Sequence, residues 1–384
     1  MLSQEKHPES CQTKRKHHSI TDLGYYNGMT AFTRRLQSAA AASNTFSEFT
    51  PGTVTPIGAL DVSAGAPLPV GATAVRNVGV RPGVTLTPYF GNLTLTSGQV
   101  VSGLDIHGYV TTAGSLGTPP TVTDCKIRGV GGTTSDSGLV LGHSYDMSGT
   151  VFEWCDFDAT GNESGWLNGL SGGNFTVKYS DITRVVDGIH LTQGNVTALC
   201  CRMYDGYYES TWDTVANSNR TTTFTDFGGK VWTPPFADQT ASGDVHGDGV
   251  QVAGSSGNVI RGCYIGGANA TGVGTTHLDP TVSADYAAIQ TWDAAMCYKN
   301  SGIILNALSS NPIGALVELN WLQGGAACLN ASTNGSDTGS GVTVQNNRFI
   351  RSTGYHLYVQ TGHSGTFTGN VYDNDSSAVT TVNF

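Results

Sequence analysis

The chain has 384 residues, a formal net charge of −10, 51 glycines and charged residues at only 12% of positions. The acidic surplus argues against nucleic acid as the main partner, because nucleic-acid binding depends on basic surfaces. Few charges and many glycines favour stacked strands with a turn at every corner, and such a stack can use the whole length as one unit. No apolar run approaches membrane-spanning length, so membrane insertion is not predicted.

Residues 1–48 are predicted to form an N-terminal tail and a helix. Residues 1–36 hold six basic and three acidic residues, and the run from Lys14 to His18 is either a solvated tail or a contact for an acidic surface. The segment lacks the apolar core of a signal peptide. Residues 28–43 are Ala-rich and favour a helix that is marginal unless it packs on a partner. This helix is expected either to attach the protein to something else or to cap the open end of a strand stack.

From residue 49 the chain is rich in Thr, Val, Gly and Pro, which predicts irregular entrance coils over 49–100. A pattern then recurs in which a short β-prone run precedes Cys, Ser or Asn, any residue, and a large apolar residue. Copies without a long insertion between them are 21 residues (Ser180 to Cys201) to 30 residues (Cys125 to Cys155) apart. The small residues form a corner column: Cys125, Cys155, Ser180, Cys201, Cys263, Asn320, Asn347 and Asn370, preceded by Leu104.

A second column of short apolar runs lies between the copies of the first: Leu139–Leu141, Leu167–Asn168, Ile189–Leu191, Val250–Val252, Ile289–Gln290, Leu329–Asn330 and Leu357–Val359. Two or more short strands per repeat predict an all-β fold, a right-handed parallel β-helix (solenoid) with a short N-terminal helical segment. Its regular part is expected over 101–375, with 376–384 as the C-terminal end. The asparagines of the corner column are expected to bond from coil to coil through their side-chain amides.

Four of the eight cysteines, Cys125, Cys155, Cys201 and Cys263, lie in the corner column on different coils. Because Ser180 interrupts the series, we expect buried free thiols that act as small apolar side chains rather than disulfides. The cysteine spacing fits no metal motif, and neither a metal nor another cofactor is predicted. Reduced thiols indicate assembly in a cytoplasm.

Two coils carry long insertions, predicted over 205–247 and 266–286, that leave the same corner on successive coils. Function is often placed on such insertions. They combine aromatic rings with carboxylates, as a sugar-binding surface requires. The candidate glycan-binding residues on the first insertion are Tyr207, Tyr208, Trp212 and Trp232. The competing interpretation is that these aromatic rings only pack the insertions onto the stack.

Strand alternation predicts an outward stripe beside the insertions: Asn168, His190, Gln251, Gln290 and Asn330. Of these, His190, Gln251 and Gln290 are further candidates for glycan binding. The segments Asp187–His190 and Asp248–Gln251 are predicted to be equivalent on neighbouring coils. No Lys or Arg lies in these two segments to neutralise a uronic carboxylate.

Asp187 above Asp248 is the one carboxylate pair suited to acid–base catalysis, because stacked carboxylates raise one another's pKa. His246 is a candidate base or third member of this catalytic group. The alternative is ordinary turn chemistry, since Asp before Gly is common at corners.

The segment Asp244–Gln251, followed by Asn258–Cys263, resembles the His-x-Asp-Gly-[Ile/Val]-Gln segment of minor tail proteins from bacteriophages of actinobacteria. Thr53–Val62 resembles the entrance coil of that family, and Val317–Gly325 and Asn346–Asp375 resemble its late coils, so the likeness covers roughly residues 50–375. These proteins have pectate-lyase-like β-helices.

The resemblance implies a virion protein of the tail tip, assembled in the bacterial cytoplasm beside other phage tail proteins. A host cell-surface glycan is then the expected ligand, and a homotrimer or a tail complex the expected assembly, with residues 20–45 as the attachment segment. Whether the chain is an enzyme stays open here, because β-helices host binders, lyases and hydrolases alike. The alternative function is a polysaccharide depolymerase, a lyase or a glycoside hydrolase, acting on the host surface.

Overall fold

The computed structural model describes fifteen ranges, all within residues 78–383: 78–130, 137–162, 167–204, 212–213, 218–219, 224–225, 231–232, 247–266, 301–307, 313–323, 327–333, 341–350, 355–360, 363–373 and 375–383. These ranges contain β-strands and turns and no helix. The expected helix at 28–43 lies outside the described residues. In the same ranges, no helix that could span a membrane is found.

The described residues contain 31 strands, most of them only two to four residues long. In chain order they are β1 Thr87–Phe90, β2 Leu93–Leu95, β3 Val100–Ser102, β4 Leu104–His107, β5 Val110–Thr112, β6 Thr121–Thr123, β7 Lys126–Ile127, β8 Ser137–Glu153, β9 Asp156–Asp158, β10 Leu167–Lys178, β11 Asp181–Thr183, β12 Ile189–Leu191, β13 Val196–Leu199, β14 Arg202–Tyr204, β15 Trp212–Asp213, β16 Ser218–Asn219, β17 Phe224–Thr225, β18 Val231–Trp232, β19 Asp248–Ala253, β20 Asn258–Arg261, β21 Tyr264–Ile265, β22 Ser301–Ala307, β23 Ala315–Glu318, β24 Trp321–Leu322, β25 Ala327–Thr333, β26 Val342–Gln345, β27 Arg348–Phe349, β28 Tyr355–Val359, β29 Thr366–Thr368, β30 Val371–Tyr372 and β31 Thr381–Asn383.

All but four of these strands belong to three rows in which each strand pairs in parallel with the corresponding strand of the next repeat. Row A runs β1-β4-β7-β9-β11-β14-β21-β24-β27-β30. Row B runs β2-β5-β8-β10-β12-β19-β22-β25-β28-β31. Row C runs β3-β6-β8-β10-β13-β20-β23-β26-β29, so that the long strands β8 and β10 serve both rows. The remaining strands form two antiparallel hairpins, β15-β16 and β17-β18.

The pairing extends beyond the predicted limits of the regular coils. The strands β1, β2 and β3 begin before residue 101 and already pair in register with later strands. At the other end, β31 lies in the predicted terminal segment 376–384 and pairs with β28.

The core lies between the rows, because strand alternation sends one set of side chains inward. The three-residue strands β9 and β11 of row A bury their middle residue, whereas β5 and β12 of row B bury their two outer residues. In row A the inward residues stack on one another from repeat to repeat: Ile106, Ile127, Phe157, Ile182, Met203, Ile265, Leu322, Phe349 and Tyr372. Large apolar side chains are thereby removed from water along the whole row, which is the main favourable term for folding.

Rows C and A are joined by a two-residue corner. The first residue has a positive φ in every repeat: Gly103, Asp124, Trp154, Tyr179, Cys200, Gly262, Leu319, Asn346 and Gly369. The second is the residue of the corner column, and its carbonyl accepts the amide of the next repeat, as in the 2.9 Å bond from Asp156 N to Cys125 O. The left-handed conformation costs a non-glycine residue about 1–2 kcal/mol, so this corner needs compensating bonds.

The corner column is stacked as predicted, and its side chains provide those bonds. Asn347 Oδ1 accepts both the backbone amide (3.0 Å) and the side-chain amide (2.9 Å) of Asn320, and Asn370 Oδ1 accepts the same two groups of Asn347 at 3.1 and 3.0 Å. Asn347 Nδ2 also donates to Val317 O at 2.9 Å. The coil-to-coil amide bonds expected for the asparagines are therefore present.

Earlier in the column, Ser180 Oγ accepts the amide of Cys155 at 3.1 Å, and Cys263 Sγ accepts that of Cys201 at 3.4 Å. The column cysteines Cys125, Cys155, Cys201 and Cys263 are buried free thiols, as are Cys200 and Cys328 elsewhere in the described residues. Burial raises the pKa of Cys155 and Cys201 far above the usual range, which keeps both thiols protonated.

The segment Val78–Arg81, which we call the strap, runs across the repeats instead of along them. Gly79 N donates to Tyr179 O at 2.9 Å, and Val80 N donates to Asp156 Oδ1 at 3.1 Å. Arg81 pairs with Asp124 through its backbone amide and its guanidinium, which also lies 5.9 Å from the Trp154 ring centre. A side chain at Gly79 would place its Cβ 2.1 Å from Asp156 Oδ1, so only glycine fits there.

The strap lies over the Asp156 carboxyl group, whose ionisation lowers the stability of the folded chain. Burial, together with the neighbouring carboxylate of Asp181, raises the pKa of Asp156 to about 6. Lys126 acts in the opposite direction, but its ammonium is held by Asp158 at 2.6 Å. Burial also raises the pKa of Asp158, yet hydrogen bonds from Lys126 and Thr160 outweigh it and keep that pKa below the usual range.

We predict that Asn347→Leu lowers the free energy of unfolding by about 3 kcal/mol or more, because the buried amide of Asn320 and carbonyl of Val317 lose their partners. The matched substitution Cys263→Ser should cost less than about 1 kcal/mol, because Ser180 already fills the same position with the same bonds. Urea denaturation of both variants measures the difference. Equal losses of unfolding free energy for the two variants would contradict the role given to the corner hydrogen bonds.

We predict that Asp156→Asn raises the free energy of unfolding at pH 7.5 by up to about 3 kcal/mol. The folded pKa lies above the unfolded value, so ionisation costs stability above pH 6, and this cost disappears as the pH falls below about 4. Urea denaturation at pH 7.5 and 3.5 should therefore show a gain only at the higher pH. The control Asp158→Asn should behave oppositely, with a loss at pH 7.5 that shrinks on acidification. A loss for Asp156→Asn at pH 7.5 would reject the assignment.

Candidate functional site

The two insertions are rooted side by side, as expected. The first connects Tyr204, the end of β14, to Asp248, the start of β19, and the second connects β21 to Ser301, the start of β22. Because β14 pairs with β21 and β19 pairs with β22, both the departures and the returns are on neighbouring strands.

The second insertion is longer than predicted, because the chain rejoins row B at Ser301 and not near residue 286. Val250 pairs with Ile303, and Ile303 pairs with Leu329. The prediction that Ile289 holds this place was therefore wrong, and Gln290 is not the stripe residue between Gln251 and Asn330. That place belongs to Ile304, while Gln290 lies outside the described residues.

The predicted register was also wrong by three residues at Leu167. Leu170, not Leu167, pairs with Ile189, which makes Ser171 the row neighbour of His190. The predicted equivalence of Ile189–His190 with Val250–Gln251 is confirmed. The outward residues of row B, which we call the row B stripe, are Thr94, Thr111, Leu141, Ser171, His190, Gln251, Ile304, Asn330, Tyr358 and Val382.

A repeated polar-Gly-apolar segment in the sequence could have located both Leu170 and Ile303 in row B. Asn168-Gly169-Leu170 and Ser301-Gly302-Ile303 match the polar-Gly-apolar segments that begin at Asp187 and Asp248. Glycine is required there because the repeats approach closely. A Cβ at Gly188 would lie 2.5 Å from Gly249 O, and a Cβ at Gly302 would lie 2.6 Å from Cys328 O.

The polar residues before these glycines form a chain of hydrogen bonds between repeats. Asp187 N donates to Asn168 Oδ1 at 3.2 Å, and Asp248 N donates to Asp187 Oδ1 at 2.7 Å. All three side chains are buried, with Asp187 at 4% exposure and Asp248 at 2%. Asp187 therefore occupies the same structural role as the neutral amide of Asn168, which is the turn chemistry considered as the alternative to catalysis.

His190 is oriented by this chain. Asn168 Oδ1 accepts the amide of Asp187, so Asn168 Nδ2 faces His190 Nδ1, at 3.0 Å. A donor at this distance requires an unprotonated Nδ1, so the neutral ring carries its proton on Nε2. Asp187 Oδ2 lies 3.5 Å from the same Nδ1 and would accept a hydrogen bond from it only if Nδ1 carried a proton. The half-buried ring thus presents an Nε2–H donor.

The remaining candidates lie partly or wholly outside the described residues. His246, Tyr207, Tyr208 and Gln290 are not described. Trp212 pairs with Asn219 in one hairpin of the first insertion, and Trp232 pairs with Phe224 in the other. Within the described ranges, no group of three or more His, Cys, Asp or Glu side chains is arranged to hold a metal ion.

Comparison of the whole chain with protein-family models gives no match. The curated proteins give no significant match. The solved structures give none either.

We predict that Asp187→Asn costs less than about 1 kcal/mol, because an amide oxygen accepts the Asp248 amide just as Asn168 accepts that of Asp187. Asp187→Leu, which has similar volume but no acceptor, should cost about 1–3 kcal/mol through the unpaired buried N–H. Urea denaturation of the two variants at pH 7.5 compares the two costs. If both lost the same stability, the acceptor role of Asp187 would be refuted.

Proposed function

We propose that the chain is a right-handed parallel β-helix whose insertions and row B stripe bind a glycan on the surface of a bacterial host. The β-helix is supported by the three rows of parallel strands, because each repeat contributes a strand segment to each row. The right hand follows from the strong preference of parallel crossover connections. The observation that carries the site is the rooting of both insertions on paired strands beside His190, Gln251 and Ile304.

The proposed biological setting is the tail tip of a bacteriophage virion. It rests on the resemblance of Asp244–Gln251 and Asn258–Cys263 to minor tail proteins of actinobacterial phages. In that setting the partners are other tail proteins, and the assembly is a homotrimer or a subunit of the tail complex. Residues 20–45 are the proposed attachment segment.

Binding without cleavage is the favoured activity. A depolymerase needs an acid that reaches the glycosidic bond. Asp187 and Asp248 are nearly inaccessible, and one oxygen of Asp187 is already used by a backbone amide at 2.7 Å. The catalytic assignment of these two residues and His246 therefore has less support than a stripe that offers hydrogen bonds.

The test uses purified full-length protein and the envelope polysaccharide of an adsorbing host. The double variant Trp212→Ala/Trp232→Ala should lose at least tenfold in glycan affinity by surface plasmon resonance, because sugar stacking on aromatic rings is removed. The control Trp154→Ala changes a ring that stacks on Tyr179, at a corner away from row B, and should bind normally.

Unchanged glycan binding and host adsorption by the double variant would show that the insertions are not the site. New reducing or unsaturated ends after incubation with the polysaccharide would instead establish the depolymerase. In that case Asp248→Asn should abolish turnover while binding persists.

A further inference from the structure

We propose that the strap is a pH-sensitive latch, which is closed over row A in acid and opens more readily once Asp156 is ionised. The latch lies on row A, whereas the proposed glycan site lies on row B, and the inference does not depend on that function. It rests on the place where the strap crosses the repeats, on the bonds that hold it there, and on the charges around Asp156.

Unlike a strand of one of the rows, the strap is attached by isolated bonds. Gly79 N donates to Tyr179 O at 2.9 Å, and Val80 N donates to Asp156 Oδ1 at 3.1 Å. The Arg81 guanidinium adds an ion pair at the other end of the strap, but this side chain is 52% exposed. Segments held by so few bonds open locally far more often than a whole structure unfolds. The strap can therefore open while the rows of strands stay paired.

The closed strap covers part of the Asp156 carboxyl group. Val80 N bonds to Oδ1, and the backbone of Gly79 is so close that an added Cβ would lie 2.1 Å from the same atom. The strap backbone thus takes the place of water at this oxygen. Burial is the main reason why the pKa of Asp156 is raised to about 6. Opening the strap restores water and moves this pKa back toward the ordinary value of about 4.

The charges around Asp156 do not offset this burial. The charged groups on the surrounding elements are Lys126 on β7, Asp158 on β9, Asp181 on β11, Arg202 on β14, and Arg81 of the strap with its partner Asp124. Each of the three cations pairs with a carboxylate other than Asp156: Lys126 with Asp158, Arg202 with Asp181, and Arg81 with Asp124. Among the described residues, an ionised Asp156 therefore has no ion-pair partner of its own.

The direction of the pH dependence follows from the two pKa values of Asp156. With the strap closed the carboxyl group keeps its proton up to about pH 6, and with the strap open it would lose the proton near pH 4. Because the closed state binds the proton more tightly, acid favours closure. Raising the pH from about 4 to about 6 removes this preference and increases the open fraction by up to about 100-fold, with no further change above pH 6.

The other end of the strap does not titrate in this range. A hydrogen bond from Arg81 holds the pKa of Asp124 below its usual range, so this ion pair persists at pH 4. The pH dependence between pH 4 and 6 is therefore assigned to Asp156.

Amide hydrogen exchange of the full-length chain measures the opening. The amides of Gly79 and Val80 are followed by mass spectrometry with electron-transfer fragmentation at pH 4, 5, 6 and 7.5, and each rate is divided by the intrinsic rate at that pH. We expect the protection of both amides to fall at least tenfold between pH 4 and 7.5. The amide of Val371, which donates to Asn347 O at 3.0 Å in a late repeat, should keep its protection.

Two variants that each neutralise one carboxylate identify the group responsible. Asp156→Asn keeps an oxygen that accepts the Val80 amide and has no carboxyl proton to lose, so the strap should be as protected at pH 7.5 as at pH 4. Glu318→Gln changes a carboxylate of row C in a late repeat and should retain the tenfold fall. Thermal melting at each pH confirms that both variants are folded.

Three results would overturn the inference. The first is protection of the strap that does not change with pH or that rises with pH. The second is a pH dependence that survives in Asp156→Asn, because another group would then control the strap. The third is an equal loss of protection at Gly79, Val80 and Val371, because the whole stack would then open rather than the strap alone.

Discussion

The hydrogen bond that a small side chain at the corner accepts from the backbone amide of the preceding repeat determines the rest of the structure. The bend between rows C and A uses one left-handed residue, which is unfavourable for Trp154, Tyr179 or Leu319. The residue that follows is buried, and its amide has to be satisfied there. Ser180, Cys263 and the asparagines satisfy the amide of the preceding repeat in the same way. One geometric solution is therefore repeated along the stack.

Stacking in register also forces equivalent residues of neighbouring repeats into contact, with different consequences on each face. On the early repeats of row A, opposite charges pair, as in Arg128 with Asp105 and Arg202 with Asp181. Asp156 is the exception, because it lies beside Asp181 and is covered by the strap. On row B, the polar residues before the glycines bond in sequence, from Asn168 through Asp187 to Asp248. The Asn168 amide and the Asp187 carboxylate there bond to the next repeat, and the Asn168 amide also orients His190. They leave an uncharged outward stripe beside the two insertions, and this stripe is the basis of the binding function that we propose.

The corner column could be predicted because each copy has the same short strand, small residue and apolar residue. Row B was harder, since its strands are short and several apolar residues near each strand fit an alternating pattern equally well. Leu167 and Leu170 both lie in the long strand β10, and no turn between them shows which one aligns with Ile189. Ile289 is an apolar residue of the second insertion that fits the same pattern as Ile303, the residue that pairs with Val250.

Two further features depend on residues that are distant in sequence. The strap could not be predicted, because Val78–Arg81 is held by Asp124 and Asp156, and nothing local marks that contact. Likewise, the role of Asp187 as an acceptor follows from its contact with the amide of Asp248, 61 residues away.

The central claim is that both insertions leave adjacent strands of row A and return to adjacent strands of row B, so that Gln251 lies beside Ile304. Paired cysteine substitution tests it directly, because register partners about 4.8 Å apart are within the range that a disulfide can bridge. Peptide mapping by mass spectrometry after mild oxidation should find a disulfide in Gln251→Cys/Ile304→Cys and none in Gln251→Cys/Gln290→Cys. A disulfide in the Gln290 pair and none in the Ile304 pair would contradict the register, and with it the continuous stripe on which the proposed site depends.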